Sequence, residues 1–349
     1  MSNSLSLPHL PHSHPAGLPL RNGQLHTPVA TRRASWSSVE ELQTLAKGLS
    51  LDLLPLQLQG GAFGGQVLSA DLPPLRLARF QVNGALHNVG QRPKGMLAIC
   101  MDLDPRPGRA PGRAHGQQLP MHCLFGLGVD REIHLTLPGH ITLGVVFLPF
   151  EALGQWATEL GWPGFAGELL PQSNLKMLHP SSAKALRHHL REVFAMAERS
   201  PAQLLLPATQ RLVLDDLIPL LLEALIHDPA QELHRLRPPA RIEVVKEVQA
   251  WIHDHPTQPI TLADLCRQAH TSRRTLIQGF HDHLGMGPMA YLKLIRLHGI
   301  RKRLLQAEPS SLQIGATAAE WGFFNAGHFA ADYRRLFGER PRETLQRAA

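Results

Sequence analysis

An internal repeat near the carboxyl end constrains the fold of this chain more than any other feature. The segment that begins at Ser272, SRRTLIQGFHDHLGMGPMAYL, aligns without gaps with the segment that begins at Asn325, NAGHFAADYRRLFGERPRETL. Both copies have large apolar or aromatic residues at matching positions, followed by a glycine (Gly285, Gly338) and a proline. Such a repeat predicts two similar helical units.

Local signals in the first copy predict two short helices around a tight turn. Thr261 and Asp264 have the spacing of a helix cap and a first-turn acid, and their helix should end near Ala269. Ser272 can cap the next helix, which should end at Gly285 because glycine suits a left-handed C-cap. Two helices joined in this way form a helix-turn-helix, whose second helix enters the major groove of DNA.

The second copy repeats this layout after a long connecting helix. That helix is expected from Pro288 to about Gln306, and the second copy should have helices over 312–321 and 325–337. The connecting helix carries four basic residues, which we expect to form an exposed basic face: Arg296, Arg301, Lys302 and Arg303.

These residues resemble the DNA-binding domain of the AraC/XylS family of bacterial regulators. The family pattern has an isoleucine, a small residue, Gly-Phe, a His-Phe or Ser-Phe pair, an aromatic residue four positions later and Gly-x-x-Pro. The chain matches it at Ile314, Ala318, Gly322, Phe323, His328, Phe329, Tyr333, Gly338 and Pro341. The resemblance covers about residues 241–346, and it implies two helix-turn-helix motifs that bind double-stranded DNA.

Three positions depart from the family pattern. Gln278 and Ala331 stand where the family often has arginine, and Cys266 stands where alanine is usual. The core and turn positions are kept, so the fold should survive. The DNA sequence that the domain recognises is what these changes put in question.

The two recognition helices differ in what they offer to DNA. Arg273 and Arg274 suit phosphate or guanine, and Gln278 suits adenine. The second helix has mainly small side chains, so we expect the first motif to carry most direct base readout and the second to depend on backbone contacts and DNA shape. The candidate DNA-binding residues are Ser272, Arg273, Arg274, Ile277, Gln278, Asn325, Ala326, Gly327, His328, Ala330 and Ala331.

The charge distribution agrees with a polyanionic partner. Residues 241–349 contain 15 Lys and Arg against 10 Asp and Glu, whereas residues 1–240 contain 20 against 18. The basic excess is therefore concentrated in less than a third of the chain, although a merely basic surface would give the same count.

The first 240 residues predict a regulatory region, so the chain as a whole is expected to be α+β. Residues 1–34 are rich in Pro, Ser and His and should be a disordered tail. Residues 35–226 should form a regulatory or oligomerisation domain, with short strands over 51–150 and helices over 151–226. The polar stretch 227–240 should link it to the DNA-binding domain at 241–349.

One segment of this region carries a weaker resemblance. The stretch 80–99, FQVNGALHNVGQRPKGMLAI, is similar to the amino-terminal domain of relatives of the ethanolamine-operon regulator, chiefly at Ala85-Leu86-His87 and Gly90-x-Arg92-Pro93. This resemblance implies a β-rich sensing domain and names no ligand.

Several other classes of protein find no support in the sequence. No apolar run reaches the roughly 18 residues that span a bilayer, and we expect neither a signal peptide nor a membrane partner. The chain has no catalytic motif, so we expect no enzymatic residues and no cofactor. Histidine pairs two residues apart point to different sides of a helix, so we expect no metal site, although His9, His12 and His14 could bind a metal weakly.

Alternatives remain open at this stage. Cys100 and Cys123 are expected to be buried apolar residues, with redox sensing as the other option. The leading hypothesis is a cytoplasmic transcription regulator, and an activator by family habit, with DNA and RNA polymerase as partners. A small-molecule effector and a homodimer formed through residues 204–226 are further candidates. The alternatives are a ligand-binding or enzymatic amino-terminal domain with accessory DNA binding, and a basic protein without sequence preference.

Overall fold

The computed structural model describes residues 31–128, 132–162, 174–226, 241–308 and 312–347. Strands dominate the first part of these residues, three helices follow, and the part from residue 241 onward is helical. The expected α+β class, with a β-rich domain ahead of an all-helical one, is confirmed.

The amino-terminal domain consists of short strands and one early helix, α1 (Val39–Gly48). This helix begins where Ser38 Oγ accepts the backbone N–H of Glu41 at 3.2 Å and so caps the first turn. The strands, in chain order, are β1 (Thr31–Trp36), β2 (Asp52–Gln57), β3 (Gly65–Leu72), β4 (Leu75–Val82), β5 (Leu86–Gln91), β6 (Met96–Asp102), β7 (Arg113–Ala114), β8 (Gln117–Gln118), β9 (Cys123–Phe125), β10 (Ile133–Leu137), β11 (Ile141–Pro149) and β12 (Leu175–Met177).

These strands form two antiparallel sheets. Among the described residues, the larger sheet has the order β1-β3-β4-β11-β6-β9-β12 and the smaller one the order β2-β5-β10-β7-β8. Side chains alternate across the larger sheet, so that Leu97 and Ile99 of β6 pack on helices whereas Ala98 and Cys100 face the other way. Burial on both faces explains why this strand appears in the sequence as a continuous apolar run.

Three helices follow the sheets: α2 (Phe150–Glu159), α3 (Pro180–Arg199) and α4 (Pro207–Ile226). Helix α3 buries Leu186, Leu190 and Phe194 in the same core as the larger sheet, so its apolar residues form one stripe. In the described parts of the chain, no helix is long and apolar enough to cross a membrane.

The carboxy-terminal domain contains two small cores bridged by one helix. Its helices are α5 (Ile242–Asp254), α6 (Leu262–Gln268), α7 (Arg273–Leu284), α8 (Pro288–Leu305), α9 (Ile314–Glu320), α10 (Ala326–Phe337) and α11 (Pro341–Arg347). Tyr291 of α8 packs in the first core with Phe280, and Ile300 of α8 packs in the second core with Tyr333. Helix α8 therefore fixes the two repeats relative to each other.

Some predicted boundaries need correction. Strand β1 begins at Thr31 and pairs with β3, so the last four residues of the segment 1–34, predicted to be disordered, belong to the larger sheet. Residues 1–30 and the predicted linker 227–240 lie outside the described residues. The helices after Pro149 keep to the predicted region 151–226 within one residue, but strand β12 also lies there.

The exposed basic face predicted for α8 is wrong at two of its four positions. The Arg301 side chain is only 8% exposed, because it lies between two carboxylates. Arg296 is half-buried and donates to the backbone carbonyls of Pro256 and Gln258 at 2.9 and 2.6 Å. Only Lys302 and Arg303 of the four are exposed, so spacing alone did not distinguish structural arginines from surface ones.

Candidate nucleic-acid interface

The first candidate recognition helix, α7, is held by its cap and its apolar face. Ser272 Oγ accepts the backbone N–H of Thr275 at 3.1 Å, and Gly285 ends the helix at φ 72°. Leu276 and Phe280 are buried against the rest of the first core. The structure thus confirms the predicted bounds of this helix and the conformation of its C-cap.

The opposite face of α7 carries the predicted DNA-binding residues. Ser272, Arg273, Arg274, Ile277 and Gln278 are all exposed. In the described part of the chain, neither Arg273 nor Arg274 forms an ion pair, so both guanidinium groups are available to an anionic partner.

Gln278 is less free than the sequence suggested. Its amide nitrogen donates to Asp282 at 2.7 Å, and Asp282 also pairs with Arg241 at 3.2 Å. A bidentate contact with adenine would require Gln278 to leave this carboxylate. Asp282 lies one helical turn further along α7, which is the sequence signal that would have revealed this competition.

The second candidate recognition helix, α10, has the same construction. Asn325 Oδ1 accepts the backbone N–H of His328 at 3.0 Å, and Gly338 ends the helix at φ 74°. The six predicted positions of this motif are all exposed, namely Asn325, Ala326, Gly327, His328, Ala330 and Ala331. The Asn325 oxygen already accepts the capping hydrogen bond, so its amide nitrogen is the freer group for DNA.

Phe324 is a surface residue that the sequence reasoning missed. It lies in the turn before Asn325 and is 89% exposed, whereas its neighbour Phe323 packs against Phe329 with ring centroids 5.3 Å apart. A pair of phenylalanines in a three-residue turn was the available signal, because only one of them can enter the core.

A buried polar contact joins the smaller sheet to the DNA-binding domain. Gln249 of α5 is 3% exposed, and its side-chain oxygen lies 2.8 Å from His134 Nε2 in β10. Its side-chain nitrogen lies 3.0 Å from His87 Nε2 in β5. Beside them, Lys246 Nζ pairs with the Glu132 carboxylate at 2.8 Å. Sequence reasoning found none of these contacts.

A second contact between the domains is centred on Arg301. Its guanidinium pairs with Glu40 of α1 at 2.7 Å and with Glu339, just before α11, at 3.1 Å. The nearby Gln57 side chain donates to the backbone carbonyl of Leu336 at 3.0 Å. Residues far apart in sequence therefore hold the second helix-turn-helix against the amino-terminal domain.

The amino-terminal domain contains a cavity between its two sheets. Its empty volume is about 840 Å³, including the opening to solvent, and its walls are mainly apolar. A few polar side chains interrupt this lining, among them Asn88, Arg92, Glu132 and His134. Cavities lined mainly by apolar side chains with a few polar groups are typical of small-molecule sites. Glu132 and His134 belong both to this wall and to the contact with α5.

The two cysteines of this domain are poor candidates for redox chemistry. Burial raises the pKa of both Cys100 and Cys123 to about 12, so their thiols remain protonated near neutral pH. Among the described residues, no group of His, Cys, Asp or Glu side chains is arranged to hold a metal ion. His9, His12 and His14 lie outside those residues.

Comparisons with known proteins place the carboxy-terminal repeat in a characterised class. Residues 265–347 match a family model described as a helix-turn-helix domain. The chain is 38% identical over 126 residues to the probable thc operon regulatory protein of Rhodococcus erythropolis, and the alignment covers 36% of this chain and 38% of that protein. It is 25% identical over 292 residues to the XylDLEGF operon transcriptional activator 1 of Pseudomonas putida, covering 82% and 86%.

A solved structure also matches part of the chain. A probable AraC family transcriptional regulator from Rhodopseudomonas palustris is 39% identical, and the match covers 30% of this chain and 97% of that one with a TM-score of 0.29.

Proposed function

We propose that this chain, whose residues 265–347 match a helix-turn-helix family model, is a sequence-specific transcription regulator of the AraC/XylS type. In this proposal α7 and α10 enter successive major grooves of DNA. The observation that carries the proposal is the matched geometry of the two motifs. Each helix begins at a side-chain cap, ends at a left-handed glycine and exposes one face. Successive major grooves are about 34 Å apart on one side of the duplex.

The two half-sites contribute unequally in this proposal. Arg273 and Arg274 of α7 offer cations to guanine edges and phosphates. The exposed face of α10 offers His328 and otherwise small side chains, so its half-site is recognised largely through the backbone and the shape of the DNA. Ile277 and Ala331 supply apolar contacts at the two surfaces.

The amino-terminal domain controls DNA binding in this proposal. The cavity between the sheets is the site of a small-molecule effector, and two of its wall residues, Glu132 and His134, contact α5. An effector that alters this wall changes how firmly the DNA-binding domain is held. The domain has no enzymatic role in this proposal.

Two protein partners complete the proposal. The Pseudomonas relative is described as a transcriptional activator, which supports activation of transcription. In this proposal the activation involves contact with RNA polymerase. Homodimerisation is supported by an exposed apolar surface at the start of α4, formed by Leu205, Leu206 and Leu212, which are 47%, 55% and 66% exposed.

Genome-wide mapping of bound sites, followed by footprinting of the full chain on one such site, tests the proposal. We expect two protected half-sites one helical turn apart. Arg274→Ala should remove discrimination at one half-site, and His328→Ala should have a smaller effect at the other. Arg32→Ala, an exposed arginine of β1, is the matched control and should change neither.

The same assay separates the alternatives. Binding that random DNA competes away at physiological salt would indicate purely electrostatic attraction, because such binding weakens steeply as salt rises. Turnover of a ligand by the amino-terminal domain, without sequence-specific protection of DNA, would favour an enzyme with accessory DNA binding. Equal loss of discrimination at both half-sites would contradict the unequal roles of the two motifs.

A further inference from the structure

Asn88 is a buried polar side chain in the wall of the cavity between the two sheets. The residue is 7% exposed, and its side-chain oxygen accepts no hydrogen bond from the described residues. A buried amide oxygen is normally paired, because leaving it unpaired loses its interaction with water. An unsatisfied acceptor in the wall of a cavity indicates the place where a ligand would form a hydrogen bond.

The rest of the cavity lining is mainly apolar. Leu53, Phe80 and Phe147 all contribute to it. Leu86 lines the same cavity two residues before Asn88, as expected for alternate side chains of one strand. A ligand that fills this space would bury a hydrocarbon body and present one polar group to Asn88.

Two charged groups of the wall already have partners within the protein. The terminal nitrogens of Arg92 donate hydrogen bonds to the backbone carbonyls of Gly126, at 2.6 Å, and Gly128. The Glu132 carboxylate adds a negative charge to the same wall, where it is paired with Lys246. The Asn88 oxygen can only accept a hydrogen bond, so an ionised carboxylate, which has no proton to donate, would leave it unpaired.

From these contacts we propose that the cavity binds a neutral, mainly apolar molecule with a single hydroxyl group, which donates a hydrogen bond to Asn88. This inference rests on the proposed function, because it names the chemical class of the effector. It also suggests how binding reaches the DNA-binding domain. Asn88 faces the cavity, whereas His87, the preceding residue of β5, contacts Gln249 of α5. Movement of this strand on binding would displace both side chains together.

The test uses the full chain and matched aromatic probes: 2-naphthol, 2-naphthoate and naphthalene, with phenol and 4-propylphenol as smaller alcohols. Binding is measured by thermal shift and by calorimetry at pH 7.5. We expect at least one alcohol to raise the unfolding temperature and to bind more tightly than naphthalene. We expect 2-naphthoate to bind at least tenfold more weakly than 2-naphthol. Equal binding of the acid and the alcohol, or no binding of any alcohol, overturns the inference.

Asn88→Leu tests the hydrogen bond itself. This variant keeps the branched shape of the side chain and should weaken binding of the alcohol about twofold to tenfold, the range expected for one hydrogen bond, while binding of naphthalene is kept or improved. Asn83→Leu, at an exposed position just before β5, is the matched control and should change neither. Unchanged binding of the alcohol by Asn88→Leu overturns the assignment of Asn88.

The outcome is separable from that of the proposed function. Absence of sequence-specific DNA protection would contradict the proposed function as a regulator, whereas binding of the alcohol could still be observed. Failure of the alcohols to bind would leave DNA protection intact and contradict only the class of ligand.

Discussion

The side-chain nitrogen of Gln249 in α5 donates a hydrogen bond to Nε2 of His87 in β5 across 3.0 Å. His87 must accept there, so its own proton lies on Nδ1, which is 2.9 Å from the Thr136 hydroxyl. The Gln249 oxygen in turn accepts from His134 Nε2 at 2.8 Å. One glutamine therefore joins two strands of the smaller sheet to the DNA-binding domain and fixes the tautomers of both histidines.

Replacing this glutamine should loosen the contact between the domains. Gln249→Leu leaves two buried imidazoles without their partner, and we expect a loss of about 1–3 kcal/mol in the free energy of unfolding. Urea unfolding of the full chain measures it. Glu247→Leu, on the exposed face of the same helix, is the control. Equal effects of the two substitutions would show that the hydrogen bonds contribute nothing.

Stability should fall as the pH drops below about 6.5. Burial lowers the pKa of His87, His134 and His253, which lie near one another at this contact, and burial also lowers the pKa of His298 to about 4. The unfolded chain takes up protons near pH 6.5 whereas the folded chain does not, so acid favours unfolding.

Urea midpoints measured between pH 8 and pH 5.5 test this expectation. Their decline should be reduced in Gln249→Glu, because a carboxylate can accept a hydrogen bond from protonated His87 and stabilise its charge. Removing the exposed histidine in His188→Gln should leave the decline unchanged. A flat pH profile in the unsubstituted protein would contradict the prediction.

Removing the buried cation at the second contact should be costly. Arg301→Ala leaves Glu339, whose side chain is 11% exposed, with less charge compensation, and we expect a loss of about 3–5 kcal/mol in the free energy of unfolding. Glu40→Gln should cost less because Glu40 is more exposed, at 27%. Lys302→Ala, at the adjacent exposed position, should be nearly neutral. Denaturant unfolding of the three variants gives the ranking.

The two C-cap glycines should respond alike to substitution. Gly285 and Gly338 have φ of 72° and 74°, and a methyl group at either would meet no atom within 4 Å. Alanine there is therefore strained only by its backbone, and each variant should lose about 1–2 kcal/mol. Gly315→Ala, inside α9 and equally open, should instead gain about 0.5–1 kcal/mol. Thermal unfolding compares the three variants. A gain in stability on substitution of either Gly285 or Gly338 would refute the argument.

Phe324 should contribute to DNA binding rather than to stability. Its ring is 89% exposed at the start of the second recognition helix, where an apolar side chain can contact a thymine methyl group. Phe324→Ala should leave the unfolding temperature unchanged and weaken binding to a mapped site about fourfold, the effect of one buried methylene-sized contact. Replacing thymine by deoxyuridine in that half-site removes the methyl group. This change should weaken DNA binding by the unsubstituted protein and leave binding by Phe324→Ala unchanged.

Local features of the fold were predictable from the sequence because a few neighbouring residues determine them. Ser272 with Gly285 and Asn325 with Gly338 mark the ends of α7 and α10, and the structure has both helices between those residues. Caps act within one turn of a helix, so the chain around them carries the whole signal.

The contacts between the domains could not be predicted in the same way. His87 and Gln249 are separated by 162 positions, and Arg301 and Glu40 by 261. Nothing near Arg301 in the sequence distinguishes it from the exposed Lys302, because only the packed partners decide which cation is buried. The role of Asn88 could not be predicted for the same reason, because the cavity that it lines exists only once the two sheets have packed together.

The position of Arg301 limits how this chain can be recombined with its relatives. Its guanidinium takes one carboxylate from an early helix and another from the last turn before the final helix. A hybrid that joined the DNA-binding half to a foreign sensing half would inherit the arginine without Glu40. Positions 40, 301 and 339 should therefore be transplanted together. In natural exchange of these halves, an amino-terminal half that already has an acidic residue at position 40 would be favoured.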